Sequence, residues 1–289
     1  MRQHASVIVL ALLFGALGGF LYTNHRQDSR STAAISVRDR VLSSGTIRAA
    51  YLVRPPNIIK DPNTGKLSGI FVDVLEEIGK RAGLRIDWVE EVTWTTMMEG
   101  LSSSRYDIVG TGIWRNATRG KAADFTLPLF YSGVGTFVRA NDHRFDDNLA
   151  LLNDSNVRIS TIDGEMAQII AQADFPAAHP VSLTQVSDTS QLLLEVQSGK
   201  ADATFIAAQI GARYMAKNAG ALRNISTEKP LRVFPESMVI REGQYDFKAM
   251  IDSAITELVH SNFVERTIRK YDSVPEAYYL VAPPYRPLR

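Results

Sequence analysis

Short apolar runs alternate with amphipathic stretches through the first half of the chain. Residues 46–53 form an apolar run that predicts a strand, and the two prolines that follow end it. Residues 69–82 repeat apolar side chains one helical turn apart, which predicts a helix that ends at Gly83. Residues 84–89 alternate between apolar and polar positions, as a half-buried strand does. A strand, a helix and a strand in this order predict parallel pairing through a right-handed crossover.

Residues 93–138 continue this pattern and add side chains that could bind a ligand. They predict a helical turn at 97–101, a buried strand at 106–110 and a glycine-containing loop at 111–114. Arg119 follows the loop, just before a second extended segment. Ligands of open α/β sheets bind beside strand ends, so the arginine and the aromatic residues here are candidate binding groups.

The second half of the chain repeats the arrangement of the first. A polar, turn-rich segment at 142–156 separates the two halves, and residues 137–140 are expected to form the first crossing between them. The predicted strands are 157–161, 181–186 and 231–234, and residues 199–207 are predicted to form a turn and then a buried strand. The predicted helices are 166–173, 190–198, 208–218, 247–259 and 263–271. The last two helices are expected to return to the first half.

We therefore predict an α/β fold of two lobes, with two crossings between them and a ligand cleft where they meet. The first lobe is expected to comprise residues 40–138 and 236–289, and the second lobe residues 141–232. A proline-rich tail at 281–287 cannot be helical and is predicted to lie across the surface.

Residues 1–30 are predicted to form a targeting segment. Arg2 supplies a positive start, the stretch from Ala5 to Tyr22 is apolar and uncharged, and a polar spacer follows. This layout is typical of a secretory signal peptide that is cleaved after small residues. The apolar stretch is also about long enough to span a bilayer and lacks a clear Ala-x-Ala motif, so an uncleaved membrane anchor is the alternative. Both interpretations export the rest of the chain.

Composition narrows the chemistry that the chain could perform. The 32 basic and 31 acidic residues nearly balance, so no general attraction to nucleic acid follows. The absence of cysteine excludes disulfides, zinc–thiolate sites and a lipid-modified N-terminal cysteine. The five histidines do not pair at metal-ligand spacing, and no G-x-S-x-G motif indicates a serine hydrolase. We expect no metal, no cofactor and no nucleic-acid partner.

An ordered string of residues between 94 and 131 resembles the signature of the family 3 extracellular solute-binding proteins, the amino-acid-binding components of ABC transporters. The string comprises Trp94, Leu101, Asp107, Gly112, Arg119 and Asp124-Phe125-Thr126-Leu127-Pro128-Leu129-Phe130-Tyr131. The resemblance continues over most of the chain after residue 40. It implies the type II periplasmic-binding fold, a periplasmic location, a small-molecule ligand, a monomer and delivery to an ABC permease in the membrane.

The resemblance also implies which residues bind the ligand. Arg119 would clamp the ligand's carboxylate, because a planar guanidinium matches a carboxylate with two parallel hydrogen bonds. Trp94 would lie against the apolar part of the ligand. The other implied binding residues are Asn57, Gly112, Trp114, Gly164 and Glu165.

Three positions depart from the family pattern. Trp114 stands where most members carry Ser or Thr, which puts a hydrogen bond to the carboxylate in doubt and indicates a more aromatic pocket. Glu165 follows Gly164 at a turn where the family usually has G-[ST]-[ST], so it replaces a Ser or Thr. There it would either attract a cationic group of the ligand or complement the helix dipole. Ala207 replaces the aspartate that usually receives an α-amino group. Either Glu165 or Glu236 then holds the amine, or the ligand is not a standard α-amino acid.

The predicted function is capture of a small carboxylate-bearing solute for an ABC transporter, without catalysis. A first alternative is a sensing module that reports the ligand to a membrane partner, which an uncleaved anchor would favour. A second alternative is a lyase, because exported cyclohexadienyl dehydratases share this fold. Glu165 could supply the acid–base group of such a lyase, although it does not match the position of their glutamate motif.

Overall fold

The computed structural model describes residues 36–146, 148–184, 187–272 and 277–280. Within these ranges the chain forms eight α-helices and thirteen β-strands. The predicted targeting segment at 1–30 and the predicted tail at 281–287 lie outside the described residues. No helix in the described part of the chain is long and apolar enough to cross a bilayer.

The first lobe contains a parallel sheet. Its elements are α1 (Val37–Ser44), β1 (Thr46–Tyr51), β2 (Ile59–Lys60), β3 (Leu67–Ser68), α2 (Ile70–Ala82), β4 (Arg85–Glu91), α3 (Met97–Ser102), β5 (Ile108–Trp114) and β6 (Ala123–Phe125). Strand β1 pairs in parallel with both β4 and β5. Helix α2 ends at Gly83 in the left-handed conformation, with φ of 67°, so the predicted helix end is confirmed.

The second lobe repeats this three-strand arrangement. Its elements are β8 (Arg158–Ile162), α4 (Met166–Asp174), β9 (His179–Leu183), α5 (Ser190–Gln197), β10 (Ala203–Ala207), α6 (Ala208–Lys217) and β11 (Leu222–Asn224). Strand β8 pairs in parallel with β9 and with β10, so it takes the central place that β1 has in the first lobe.

Two long antiparallel strands cross between the lobes. They are β7 (Phe130–Arg139) and β12 (Arg232–Arg241), which pair from Arg232 with Val134 to Glu236 with Phe130. The last part of β7 pairs with β10 of the second lobe, and the last part of β12 pairs with β5 and β6 of the first. The chain thus has the predicted two-lobed fold with two crossings.

The chain returns to the first lobe after β12. The returning elements are α7 (Tyr245–His260), α8 (Phe263–Tyr271) and β13 (Tyr278–Leu280). Helices α7 and α8 pack on α2, and their apolar faces form one buried cluster with it. Phe71 and Phe247 are fully buried in this cluster, where a side chain of this size contributes about 1.5–3 kcal/mol relative to an exposed position.

The predicted loop at 111–114 is wrong, because these residues continue β5. Strand β12 pairs with them, placing Glu236 opposite Trp114 and Ser237 opposite Ile113, and all seven residues of β5 are buried. The predicted strand at 231–234 is correspondingly too short. The strand predicted at 181–186 is observed at His179–Leu183, where it is aligned with β8.

Each lobe holds an aspartate that ties two neighbouring strands together. Asp107 accepts the backbone N–H of Arg48 at 2.7 Å in the first lobe, and Asp202 accepts that of Arg158 at 2.9 Å in the second. Asp107 also receives the guanidinium groups of Arg40 and Arg48. We call these two aspartates the strand-tying aspartates.

Candidate functional site

Arg119 lies where the two lobes meet. It begins a short 3₁₀ turn after β5, and its backbone N–H donates to Asn116 Oδ1 at 2.8 Å. Its Nη1 donates to the carbonyl of Trp114 at 3.0 Å, and its Nη2 donates to the carbonyl of Gly164 at 3.0 Å. Because Gly164 belongs to the second lobe, this buried guanidinium bridges the lobes.

Trp94 lies beside the same guanidinium. The Arg119 Cζ is 5.5 Å from the centroid of the Trp94 ring, within the range of a cation–π interaction. Gly164 has a φ of +77°, and a side chain there would come within 3.7 Å of Trp94 Cβ. Three residues that the sequence predicted separately, Trp94, Arg119 and Gly164, are therefore brought together across the two lobes.

Arg119 keeps hydrogen-bonding capacity in this position. A guanidinium has five N–H donors, and its carbonyl partners leave some of them for an anion. Burial lowers the pKa of Arg119, while the nearby Glu165 carboxylate acts in the opposite direction. An arginine nonetheless stays protonated in proteins, so the site contains a permanent buried cation.

Glu165 lies between β8 and α4. It is the N-cap of α4, and its Oε2 accepts the backbone N–H of Ala167 at 2.6 Å. The residue is only 3% exposed, and no side chain in the described part of the chain donates a hydrogen bond to it. Burial raises the pKa of the Glu165 carboxyl, and the charges of Arg54 and Arg119 oppose that rise. Both interpretations of Glu165, as a helix cap and as a ligand group, fit this geometry.

A second arginine in the cleft was missed in the sequence analysis. Arg54 follows β1 after Leu52 and Val53, and its Nη2 donates to Glu236 Oε2 at 2.7 Å and to the carbonyl of Gly112 at 2.8 Å. The side chains of Arg54 and Glu236 are 5% and 0% exposed. A charged residue immediately before two prolines at a strand end was the signal in the sequence that could have indicated it.

Glu236 is held by three donors. Its Oε1 accepts Trp114 Nε1 at 2.8 Å and Ser132 Oγ at 2.8 Å, and its Oε2 accepts Arg54. Gln209 extends the chain of hydrogen bonds, since its Nε2 donates to Ser132 Oγ at 3.2 Å. Of the two carboxylates considered for a ligand amine, Glu236 is thus engaged within the protein and Glu165 is the more available.

Trp114 and Gly112 contact Glu236, and the backbone N–H of Asn57 donates to the carbonyl of Arg54. The Trp114 ring stacks on Phe234, with centroids 4.9 Å apart. Gly112 must lack a side chain, because a Cβ there would lie 2.5 Å from Glu236 Oε2. Asn57 is 2% exposed, and its Oδ1 has no hydrogen-bond partner in the described residues. Contact of these three residues with a ligand stays a prediction.

A cavity of about 460 Å³ opens on the Trp94 side of the cleft. Residues of both lobes line it: Leu52, Val53, Glu91, Val92, Thr93 and Trp94 from the first, and Ser187, Asp188 and Thr189 from the second. Its volume is within the usual range for small-molecule sites. No group of three or more His, Asp or Glu residues in the described ranges could hold a metal ion.

One known protein family matches most of this chain. The sequence profile of the bacterial extracellular solute-binding proteins, family 3, matches residues 47–273. The chain belongs to this family. The predicted family is therefore confirmed, and the signature between residues 94 and 131 lies within the matched part of the chain.

Curated relatives of this family member match parts of the chain. A probable amino-acid ABC transporter-binding protein of Haemophilus influenzae is 30% identical over 28% of this chain and 31% of its own length. The L-cystine-binding protein TcyA of Bacillus subtilis is 27% identical over 52% of each chain. The matched part thus spans about half or less of these two relatives. The cyclohexadienyl dehydratase of Pseudomonas aeruginosa is 23% identical over 74% of this chain and 78% of its own length.

Solved structures share the fold. The cysteine-binding protein of Campylobacter jejuni superposes with a TM-score of 0.72, at 15% identity, over 86% of this chain and all of that one. The ancestral amino-acid-binding protein AncCDT-1, described as a precursor of cyclohexadienyl dehydratase, superposes with a TM-score of 0.71 at 22% identity, over 82% of this chain and all of that one. At these identities the likeness concerns the fold.

Proposed function

We propose that this chain is an exported binding protein that captures a small carboxylate-bearing solute, an amino acid or a related compound, for an ABC transporter. The observation that carries the proposal is the buried Arg119 guanidinium, whose hydrogen bonds in the described residues go to backbone carbonyls of both lobes. In the described residues this guanidinium forms no ion pair within 4.0 Å, so a carboxylate that enters between the lobes meets a buried cation.

Capture follows from this placement. The carboxylate enters the open cleft and is bound by the N–H groups of Arg119, while the Trp94 ring covers the apolar part of the solute. Gly164 and the start of α4 then approach as the lobes close. A solute favours the closed state most when it contacts both lobes, because a ligand shifts an equilibrium only through its differential affinity for the two states.

The amine of an α-amino acid, if the solute has one, needs an acceptor other than residue 207. Ala207 ends β10 with a buried methyl group. Glu165 serves best in this role, because Glu236 is occupied by Arg54, Trp114 and Ser132. This assignment predicts a site in which Arg119 binds the carboxylate, as the family resemblance implies, and Glu165 binds the amine in place of residue 207.

The proposed transport partner and location rest on analogy with members of the family. Two of the relatives are named as an amino-acid ABC transporter-binding protein and an L-cystine-binding protein. We propose that the closed lobes of this chain, in the periplasm, dock on an ABC permease and release the solute there without chemical change. A sensing role would use the same closure.

A lyase is the second candidate function. A relative of this chain is a cyclohexadienyl dehydratase, and Glu165 is a buried carboxyl whose pKa is raised by burial, as an acid–base group requires. Turnover of prephenate by the purified chain would support this function. Binding of amino acids without turnover supports transport.

A thermal-shift screen of the full chain against amino acids, small amines and organic acids tests the proposal. A solute that binds only the native state raises the melting temperature by mass action. We expect shifts with carboxylate-bearing solutes, and none of them in the Arg119→Ala variant. The proposal fails if no carboxylate shifts the melting temperature, or if the variant responds as the wild type does.

A further inference from the structure

The part of the cleft beside the crossing strands is filled by protein. The hydrogen-bonded chain through Glu236 joins Arg54, Trp114, Ser132 and Gln209, and all five side chains are buried. A solute cannot displace this chain without leaving the charges of Arg54 and Glu236 unpaired, which is costly inside a protein. The solute must therefore extend in another direction from Arg119.

The cavity on the Trp94 side supplies that direction. Trp94 lines the cavity and also lies 5.5 Å from the Arg119 Cζ, so one ring connects the carboxylate clamp with the open space. A solute whose carboxylate is at Arg119 would pass along Trp94 and place its other end in the cavity.

The polar lining of this cavity is acidic. Glu91 from the first lobe and Asp188 from the second both line it, and no lysine, arginine or histidine among the described residues does. Glu91 uses Oε2 to accept Lys60 Nζ at 2.6 Å, and Asp188 uses Oδ1 to accept the backbone N–H of Ser190 at 2.7 Å. The second oxygen of each carboxylate has no donor within hydrogen-bond distance in the described residues.

We propose that the cavity receives a cationic group, an ammonium or a guanidinium, at the end of the solute opposite its carboxylate. This inference rests on the proposed function, since it takes the carboxylate to lie at Arg119. The free oxygens of Glu91 and Asp188 accept hydrogen bonds from the cation, and the hydroxyl groups of Thr93, Ser187 and Thr189 complete its surroundings.

The placement of the two carboxylates on different lobes gives the cation a role in closure. Lys60 already pairs with one oxygen of Glu91, so the other oxygen and the Asp188 carboxylate are the groups left for a bound cation. A cation between them contacts both lobes at once. The cationic end of the solute, which the cavity selects, therefore also favours the closed state.

A matched panel tests the charge preference. L-lysine, L-norleucine and L-2-aminoadipate share one carbon chain and end in an ammonium, a methyl group and a carboxylate. 6-Aminohexanoate, hexanoate and adipate repeat the comparison without the α-amine. Isothermal titration of the full chain should show the ammonium compound of at least one set binding about tenfold or more tightly than its methyl and carboxylate counterparts.

Two conservative variants assign the preference to the cavity. Asp188→Asn keeps the hydrogen bond from the Ser190 N–H, because the amide oxygen of asparagine also accepts, and Glu91→Gln keeps an acceptor for Lys60. The double variant should lose most of the preference for the ammonium compound. Glu90→Gln is the matched control, since Glu90 is the neighbouring residue, pairs with Arg105 and does not line the cavity; it should keep the preference.

The outcomes separate the two proposals. Equal binding of the ammonium and methyl compounds by the wild type, or an unchanged preference in the double variant, overturns the cationic cavity and leaves carboxylate capture intact. Absence of binding by every member of both sets overturns the cationic cavity, and the thermal-shift screen then decides the proposed function separately.

Discussion

Buried charges serve two different purposes in this molecule, and the strand-tying aspartates differ from the cleft residues in how completely they are paired. Asp202 receives the guanidinium groups of Arg139, Arg144 and Arg158 as well as a backbone N–H. In the cleft, Arg119 has carbonyl partners and Glu165 has a backbone partner, and neither has an ion-pair partner within 4.0 Å in the described residues.

The difference separates residues that hold the fold from residues that remain able to bind. A carboxylate surrounded by arginines has its charge and its lone pairs satisfied within the protein, so its removal affects stability. A buried guanidinium with only carbonyl partners keeps a net charge and free donors, so its removal affects affinity. The Arg54–Glu236 pair lies in the cleft, but because each charge is paired it belongs with the residues that hold the fold.

The largest effect is expected where a fully buried pair is broken. Glu236→Ala should lower the free energy of unfolding by about 3–5 kcal/mol, because it leaves the Arg54 charge buried without a partner. Urea unfolding followed by circular dichroism measures this loss. A loss below about 1 kcal/mol, the size expected of an exposed ion pair, would show that Arg54 is hydrated in solution.

Arg119→Ala should act on binding. We expect the affinity for the best solute to fall about a hundredfold or more, since charge-assisted hydrogen bonds to the carboxylate are lost, while the far-ultraviolet circular dichroism stays that of the wild type. Isothermal titration measures the affinity. An unfolded variant would place Arg119 with the structural charges instead.

Asp202→Asn should act on stability and leave binding unchanged. We expect a loss of about 2 kcal/mol at neutral pH, because hydrogen bonds to a charged group become bonds to a neutral one. Burial alone would raise the pKa of Asp202, but hydrogen bonds from Arg158, Arg139 and Arg144 outweigh it and hold that pKa below its usual range.

The pH dependence of the Asp202 variant follows from that direction. A carboxyl whose pKa is lowered by folding stabilises the protein above its unfolded pKa of about 3.9, and this contribution is lost as the pH falls towards the lower folded value. The difference between wild type and Asp202→Asn should therefore narrow below about pH 4. A constant difference down to the acid limit of folding would contradict the assigned cause.

Glu165→Gln should have the smallest effect and the opposite pH dependence. Burial raises the pKa of Glu165 in the folded state, so ionisation costs stability once the pH rises above the unfolded pKa of about 4.3. The variant should gain stability relative to the wild type as the pH rises from 4 to neutrality. Urea unfolding at several pH values would contradict this if the difference did not change.

Much of the fold could be predicted from the sequence, because it follows from local patterns. Helix α8 matches its predicted bounds of 263–271, and α2 ends at the predicted glycine. The end of β5 could not be found in this way. Residues 111–114 contain a glycine and resemble a loop, and only their pairing with β12, more than a hundred residues later, makes them a strand.

Some residues of the candidate site could likewise be predicted from the sequence, and others could not. Arg119 and Trp94 could be named from the ordered family signature and Gly164 from the family's G-[ST]-[ST] turn, and the structure brings them together. The Arg54–Glu236 pair joins residues 182 positions apart, so neither residue indicates the other in the sequence. The role of Trp114 as a donor to Glu236 depends on that pair and was hidden for the same reason.

The crystal structure of the full chain with its best-binding solute tests the central claim most directly. The account predicts a carboxylate oxygen of the solute about 3 Å from a guanidinium nitrogen of Arg119, between the two lobes. A solute bound elsewhere, or bound in the cleft without contact to Arg119, would contradict it.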